Sequence, residues 1–304
     1  MGELAPLPAR VRRVAYLGTP AIAVPPLQAL VAAGVEVAAV ITGPDRRRGR
    51  GSTVTPTPVK ACAVELGLDV HHGLSALDDL DVDLAVVVAF GTIIPADLLA
   101  RLPMVNLHFS LLPRWRGAAP VERAILAGDK RTGVCVMQVE VGLDTGGVLA
   151  CVEVPLDERI TATELSQRLA TGGAELLAQT LAGEVPAANP QVGETSYAHK
   201  LTPADVELRW DLDAVDLARR VRVGGAWTTF RGRRLGVVDA VARPAAATDP
   251  QPGVVSGVMV GTGNGTLELV TVLPEGRART DAAAWCNGAR LLPDERLGAV
   301  AEQP

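Results

Sequence analysis

Hydrophobic positions in the first half of the chain fall into short β-branched runs separated by helix-length stretches. Val11–Leu17 is an apolar run that ends at Gly18-Thr19-Pro20. A helix pattern follows over Pro25–Ala33 and closes at Gly34, and Val35–Ile41 is a second β-branched run. A polar, glycine-rich loop covers Thr42–Thr55. Prolines 56 and 58 then open another helix, since proline is tolerated in a first turn. Leu84–Phe90 (LAVVVAF) has no polar face, as expected of a strand covered by helices on both sides. Met104–Leu107 is one more short strand.

This alternation predicts an α/β fold with a doubly wound, mostly parallel, Rossmann-like sheet. Thr161–Leu181 reads as one long helix, with Thr161 as cap and Glu164 three residues on, and it stops at Gly183. The stretch GEVPAANPQVGETS that follows has a linker's composition. Beyond it the pattern changes. A helical stretch, Leu212–Val223, precedes short strands at Leu235–Ala240, Gly253–Val260 and Thr266–Leu273, with the hairpin signal Asn264-Gly265 between the last two. The expected organisation is a catalytic domain over 1–188, a linker over 189–204, and a small OB-like β-barrel over 205–304.

A length of 304 residues suits two domains. With 48% hydrophobic and 21% charged residues, wholesale disorder is excluded. A net charge of −5 rules out a polycation that coats nucleic acid, so RNA contacts must come from local patches. Aromatics at 3% are too few for serial stacking of single-stranded bases. Cys62, Cys135, Cys151 and Cys286 form no CxxC pair and lie among apolar or small residues, so they are expected as four reduced, mostly buried thiols of a cytoplasmic protein. None stands at ligand spacing from a histidine, which disfavours zinc. Neither a signal-peptide core nor a membrane span is expected. Gly18-Thr19-Pro20 lacks the glycines of a dinucleotide loop, and Gly261–Gly265 lies between strands, so it reads as a hairpin tip.

The chemistry concentrates in Asn106-Leu107-His108-Phe109-Ser110-Leu111-Leu112-Pro113-Arg114-Trp115-Arg116-Gly117-Ala118-Ala119-Pro120, just beyond a strand. Ligands of open α/β sheets bind at the carboxyl ends of strands. Strand alternation puts Asn106 and His108 on one face. Gly142-Leu143-Asp144-Thr145-Gly146 adds a carboxylate between glycines. Taken alone, such a histidine is usually structural and such an aspartate usually a turn former. Their combination with the flanking words is what gives them weight.

NLHFSLLPRWRGAAP and GLDTG, with GTP…AVPPL near the start and VAFGTIIP at 88–95, resemble the folate-dependent formyltransferase family. YAHKLT (197–202) and LPEGRART…NGARL (273–291) resemble the C-terminal domain of those members whose acceptor is initiator methionyl-tRNA. The resemblance implies formyl transfer from the co-substrate 10-formyltetrahydrofolate to an α-amine, without a metal. It implies Asn106, His108 and Asp144 as the catalytic trio. Asn106 and His108 would stabilise the oxyanion, and Asp144 would serve as histidine partner or base. It also implies a folate site at Ser110, Leu111, Leu112 and Pro113, with Phe90, Gly91, Ile93 and Val139 enclosing the ring.

RNA contacts are expected from two arginine groups. Arg46, Arg47, Arg48 and Arg50 lie in the Thr42–Lys60 segment, whose single acid is Asp45. In the family, the matching loop enters the acceptor stem, and glycines 43, 49 and 51 would let it adapt. Arg219, Arg220 and Arg222, with Arg231, Arg233 and Arg234, form an acid-free run, and Lys200 lies in the YAHKLT word. Arginine is a general habit of this chain, however, since only three of its 29 basic residues are lysine. The sequence departs from the family at Ala21, Phe109, Gly147 and Gly224–Thr229. Two rivals remain: a formyltransferase with a small acceptor amine, such as glycinamide ribonucleotide or an amino sugar, and an RNA-binding protein whose formyltransferase half is inert. A monomer is expected.

Overall fold

The apolar runs become the strands of one seven-stranded sheet. The computed structural model describes residues 4–47 and 54–298. Across the sheet the strands run Val148–Pro155, Arg131–Gln138, Met104–His108, Leu84–Val88, Arg13–Gly18, Glu36–Ile41 and Val70–His71. The last five pair in parallel, and the first two add an antiparallel hairpin beside Met104–His108. Every residue of Leu84–Val88 is buried, which explains its unbroken apolar character. Helices Val24–Ala32, Pro58–Glu65 and Ala162–Leu181 follow the sequence pattern closely. Thr57 caps the second of them, its hydroxyl accepting from the Lys60 amide at 3.1 Å.

Two compact units divide the chain. The first comprises Met1–Val121, Arg131–Pro155 and Glu164–His199, and the second Glu122–Lys130, Leu156–Thr163 and Lys200–Pro304. Residues 189–199, expected as the first part of a linker, thus belong to the first unit. Asn189 exchanges backbone hydrogen bonds with Val148 at 2.9 and 2.7 Å, and Tyr197–Ala198 pairs in parallel with Arg116–Gly117. Proline- and glycine-rich composition suggested flexibility there, but the backbone groups find partners in the fold.

The second unit is built on antiparallel strands in the order Trp227–Phe230, Arg233–Arg243, Thr266–Pro274, Met259–Gly261 and Val255–Ser256, with Thr280–Asp281 also pairing Thr266–Pro274. Gly265, at φ +80°, makes the expected hairpin turn. Residues 295–298 fasten both ends of this order. The Val255 amide donates to Glu295 O, and the Leu297 amide to Gly253 O, each at 2.9 Å. At the other edge the Gly298 amide donates to Thr229 O at 2.8 Å. The core inside includes Trp210, Leu217, Leu235, Val237, Leu269 and Val272.

The expectation of four free thiols is corrected. Cys135 and Cys151 form a disulfide, while Cys62 and Cys286 are free and buried. The two bonded residues face each other directly across the Arg131–Gln138/Val148–Pro155 hairpin. A sequence separation of 16 carries no sign of that register. Among the described residues no helix is long and apolar enough to cross a membrane, and no group of His, Cys, Asp and Glu could hold a metal ion.

An ion pair in the second unit gives a test of stability. Asp205 accepts from Arg123 Nη1 at 2.7 Å, and from the Thr202 amide and hydroxyl at 2.7 and 2.8 Å. The Arg123 guanidinium, helped by Thr202, holds the Asp205 carboxyl well below the usual carboxylate range. A carboxyl depressed on folding stabilises above its unfolded value of about 3.9 and loses that contribution as pH falls toward its folded value. Asp205→Asn should therefore cost about 1–2 kcal/mol at pH 7 in urea melts. The gap from wild type should narrow as the pH is lowered below 4, whereas a pH-independent gap would show that the charge is not what stabilises.

Candidate functional site

The site begins where Met104–His108 ends. Asn106 is partly exposed, and its side chain has no hydrogen-bond partner among the described residues. The His108 side chain is 6% exposed. On the neighbouring antiparallel strand Asn106 faces Met137 and His108 faces Cys135, so the amide and imidazole share one face.

The chain then turns through 109–119. Phe109 is buried. Ser110 is fully buried, and its hydroxyl donates to Arg114 O at 2.6 Å, so it shapes the loop and its hydroxyl is not presented to a ligand. The Leu112-Pro113 peptide is cis. Leu111 lies against Gly133, where a Cβ would come within 2.5 Å of Leu111 Cδ2. Trp115, at φ +59°, directs its carbonyl to His108 Nε2 at 2.9 Å. A carbonyl only accepts, so that nitrogen carries a hydrogen.

Asp144 completes the group from the loop between strands Arg131–Gln138 and Val148–Pro155. Its Oδ2 accepts from the Gly117 amide at 2.7 Å and lies 3.5 Å from His108 Nδ1. The two ring nitrogens of His108 therefore each face an oxygen, Trp115 O at hydrogen-bond distance and Asp144 Oδ2 somewhat farther off. Asp144 Oδ1 has no hydrogen-bond partner among the described residues. The residue sits in the left-handed region, at φ +50°, where aspartate is better tolerated than most side chains. Gln191 holds the turn from outside: its Nε2 donates to Asp144 O and to Gly146 O, each at 2.8 Å. Arg116 fixes Gln191 in turn, donating from Nη2 to its Oε1 at 2.7 Å. Gly146 is compulsory, since a Cβ there would lie 1.9 Å from Gln138 O. At Gly147 a Cβ would come within 2.9 Å of Ala188 Cβ, so an aspartate there requires Ala188 to move.

Phe90, Val139 and Ile94 are half-buried and pack on the same core of Ala15, Leu17, Val87 and Met104, among others. Gly91, at φ +76°, turns the chain after Phe90. Ile93 is 91% exposed and buries nothing in the protein itself. Leu112 is half-buried and Pro113 is buried.

The arginines sort differently from their spacing. Arg46–Arg47 pairs with Val54–Thr55, while Arg48 and Arg50 lie outside the described residues. Lys60, at the root of this loop, is paired with Asp45 at 2.7 Å. In the second unit Arg219 pairs with Asp216 at 2.6 Å. Arg220 Nη1 donates to the carbonyls of Ala204, Asp205 and Glu207, and Arg222 Nη1 to those of Asp157 and Ile160. Burial, with the nearby Arg219 charge, pushes Arg222 below its ordinary value. Arg220 and Arg222 thus hold the fold. Lys200 is exposed. The remaining arginines surround a cavity of about 440 Å³ lined by Arg231, Arg233, Arg234, Arg277, Phe230 and Trp285, among others. Glu275 and Glu295 pair with Arg233 and Arg231, whereas Arg234 lies over the Trp227 ring at 4.6 Å. This basic rim comes from residues far apart in the chain, which the run at 219–234 reveals only in part.

The formyl transferase family matches residues 12–181, and the formyl transferase C-terminal domain matches 200–290. The chain is 44% identical to the methionyl-tRNA formyltransferase of Paenarthrobacter aurescens (strain TC1), over 94% of this chain and 99% of that protein. It is also 44% identical to the methionyl-tRNA formyltransferase of Arthrobacter sp. (strain FB24), over 92% of this chain and 98% of that one. Among solved structures, the Helicobacter canadensis N-formyltransferase in complex with folinic acid and dTDP-3-aminofucose aligns with a TM-score of 0.61 at 16% identity. It covers 87% of this chain and 98% of that one, a likeness of fold.

The Gln191 clamp can be measured directly. Gln191→Ala removes two hydrogen bonds of about 1 kcal/mol each from the Asp144 turn, so amide exchange over 142–147 should rise about thirtyfold. Exchange mass spectrometry of that peptide is the check, and unchanged protection would mean that the turn is held by other groups.

Proposed function

The chain belongs to the formyl transferase family, and on that premise we propose that it transfers the formyl group of 10-formyltetrahydrofolate to the α-amine of methionyl-tRNA, forming the initiator species for translation. The observation that carries this reading is the meeting of His108 with Asp144 beside an uncommitted Asn106 amide, in a chain that matches its methionyl-tRNA formyltransferase relatives nearly end to end.

In the proposed reaction the neutral amine attacks the formyl carbon, a new C–N bond forms, and the bond to N10 of the folate breaks. Negative charge grows on the formyl oxygen as the carbon becomes tetrahedral. Asn106 donates to it first, because its amide has no other partner. His108 joins by exchanging the Trp115 carbonyl for the developing oxyanion, which is the stronger acceptor. Asp144 steadies the ring through Oδ2, and its open Oδ1 takes the amine proton and returns it to N10 as the bond to the folate breaks, so that N10 leaves as a neutral amine and the carboxylate is regenerated. The co-substrate's ring lies against the apolar side chains of Phe90, Ile94 and Val139, with Gly91, Ile93, Leu111, Leu112 and Pro113 completing the enclosure. The RNA is held by the Arg46–Arg50 loop, by Lys200, and by the basic rim of the second unit. Its salt-sensitive affinity comes from neutralised phosphates. The enzyme is taken to act as a cytoplasmic monomer.

Two measurements test this. In a formyl-transfer assay with charged initiator tRNA and the folate donor, His108→Ala and Asp144→Asn should each lower turnover about 10²–10³-fold with the fold intact. Rates near wild type would remove both residues from the mechanism, and transfer to small amines alone would remove the RNA acceptor. Replacing Arg46, Arg47 and Arg48 together with alanine should raise the KM for the tRNA and reduce its salt slope by about 0.7–0.9 for each phosphate that is no longer neutralised. An unaltered slope would leave that loop as plain solvated surface.

A further inference from the structure

Of the two tyrosines, Tyr16 is fully buried, whereas Tyr197 is 52% exposed. Tyr197 stacks on His199, with ring centroids 6.3 Å apart and an interplanar angle of 21°. Between them Ala198 is fully buried, so strand alternation sends both rings to the same outer side. A chain so poor in aromatics has placed two rings side by side in solvent.

Their position ties them to the reacting groups. Tyr197–Ala198 pairs with Arg116–Gly117, the Arg116 amide donates to Ser196 O at 2.9 Å, and the Ala118 amide donates to Ala198 O at 2.9 Å. Gly117 is the residue whose amide holds Asp144 Oδ2. One strand spacing of about 4.8 Å therefore separates the aromatic pair's backbone from the backbone that anchors the carboxylate. The two rings thus project from the strand paired directly with the one that anchors the carboxylate.

We propose that Tyr197 and His199 form a platform on which the terminal nucleobase of the aminoacylated RNA stacks, setting the reach of the amine to Asp144. The inference rests on the methionyl-tRNA reading above and adds a base-binding step to it. Stacking is indifferent to base identity, because every base has a π-face, so the platform selects a nucleoside over a bare amino acid. Arg116, committed to Gln191, keeps the strand beneath the platform in place.

The test compares two acceptors in formyl transfer: 3′-O-methionyl-adenosine, which carries the base, and methionine methyl ester, which does not. Tyr197→Ala should raise the KM for methionyl-adenosine, and for methionyl-tRNA, about 5–100-fold with kcat within about twofold. It should leave the methyl ester unaffected. Tyr197→Phe should restore the wild-type KM, and His199→Ala should show a smaller increase confined to the base-bearing acceptors. Equal losses on both acceptors would mean that Tyr197 only supports the fold, and an unchanged KM for methionyl-adenosine would mean that the base does not stack there; either result overturns the platform. If wild-type protein formylates the methyl ester but not methionyl-tRNA, the RNA reading itself fails and the platform with it.

Discussion

The Gly117 amide that reaches Asp144 Oδ2 joins three stretches of chain that are far apart in sequence. One side is the loop after the His108 strand, and the other is the turn inside the 131–155 hairpin. Behind them stands the segment 189–198, which supplies Gln191 to the turn and a paired strand to Gly117. A single amide can do this because it meets a partly buried carboxylate, and a hydrogen bond to a charged acceptor is about twice as strong as one between neutral groups. The same carboxylate then meets His108, so loop shape and imidazole orientation are set by one group.

Asn106 and His108 were legible because they stand two residues apart on a recognisable strand, and alternation alone puts them together. Asp144 was legible as a turn between glycines, but its approach to His108 depends on Gly146, whose missing side chain lets the turn press against Gln138 O. Gln191 was not legible. It sits in a proline- and glycine-rich stretch whose composition suggests a tether, and the two carbonyls it holds have no side-chain signature. The Cys135–Cys151 bond was hidden for a related reason, since strand register is a property of the hairpin and not of spacing.

The arginines show a different limit. Composition reports how many charges there are, not what each one faces. Arg220 and Arg222 looked like surface cations but donate to backbone carbonyls, where a guanidinium satisfies several acceptors at once. Arg234 and Arg277, separated by more than forty positions, meet at one cavity with Phe230 and Trp285. Both outcomes follow from the fork shape of the side chain, which serves a crowded set of carbonyls as well as a phosphate.

The fastening by residues 295–298 bears on how the second unit behaves in a crowded solution. A small open sheet would present two rows of free amides and carbonyls, each a template for another chain's strand. Here the same short segment occupies both rows, at Gly253 and Val255 on one side and at Thr229 on the other. Pairing of another chain at either edge must first displace residues 295–298 from these hydrogen bonds.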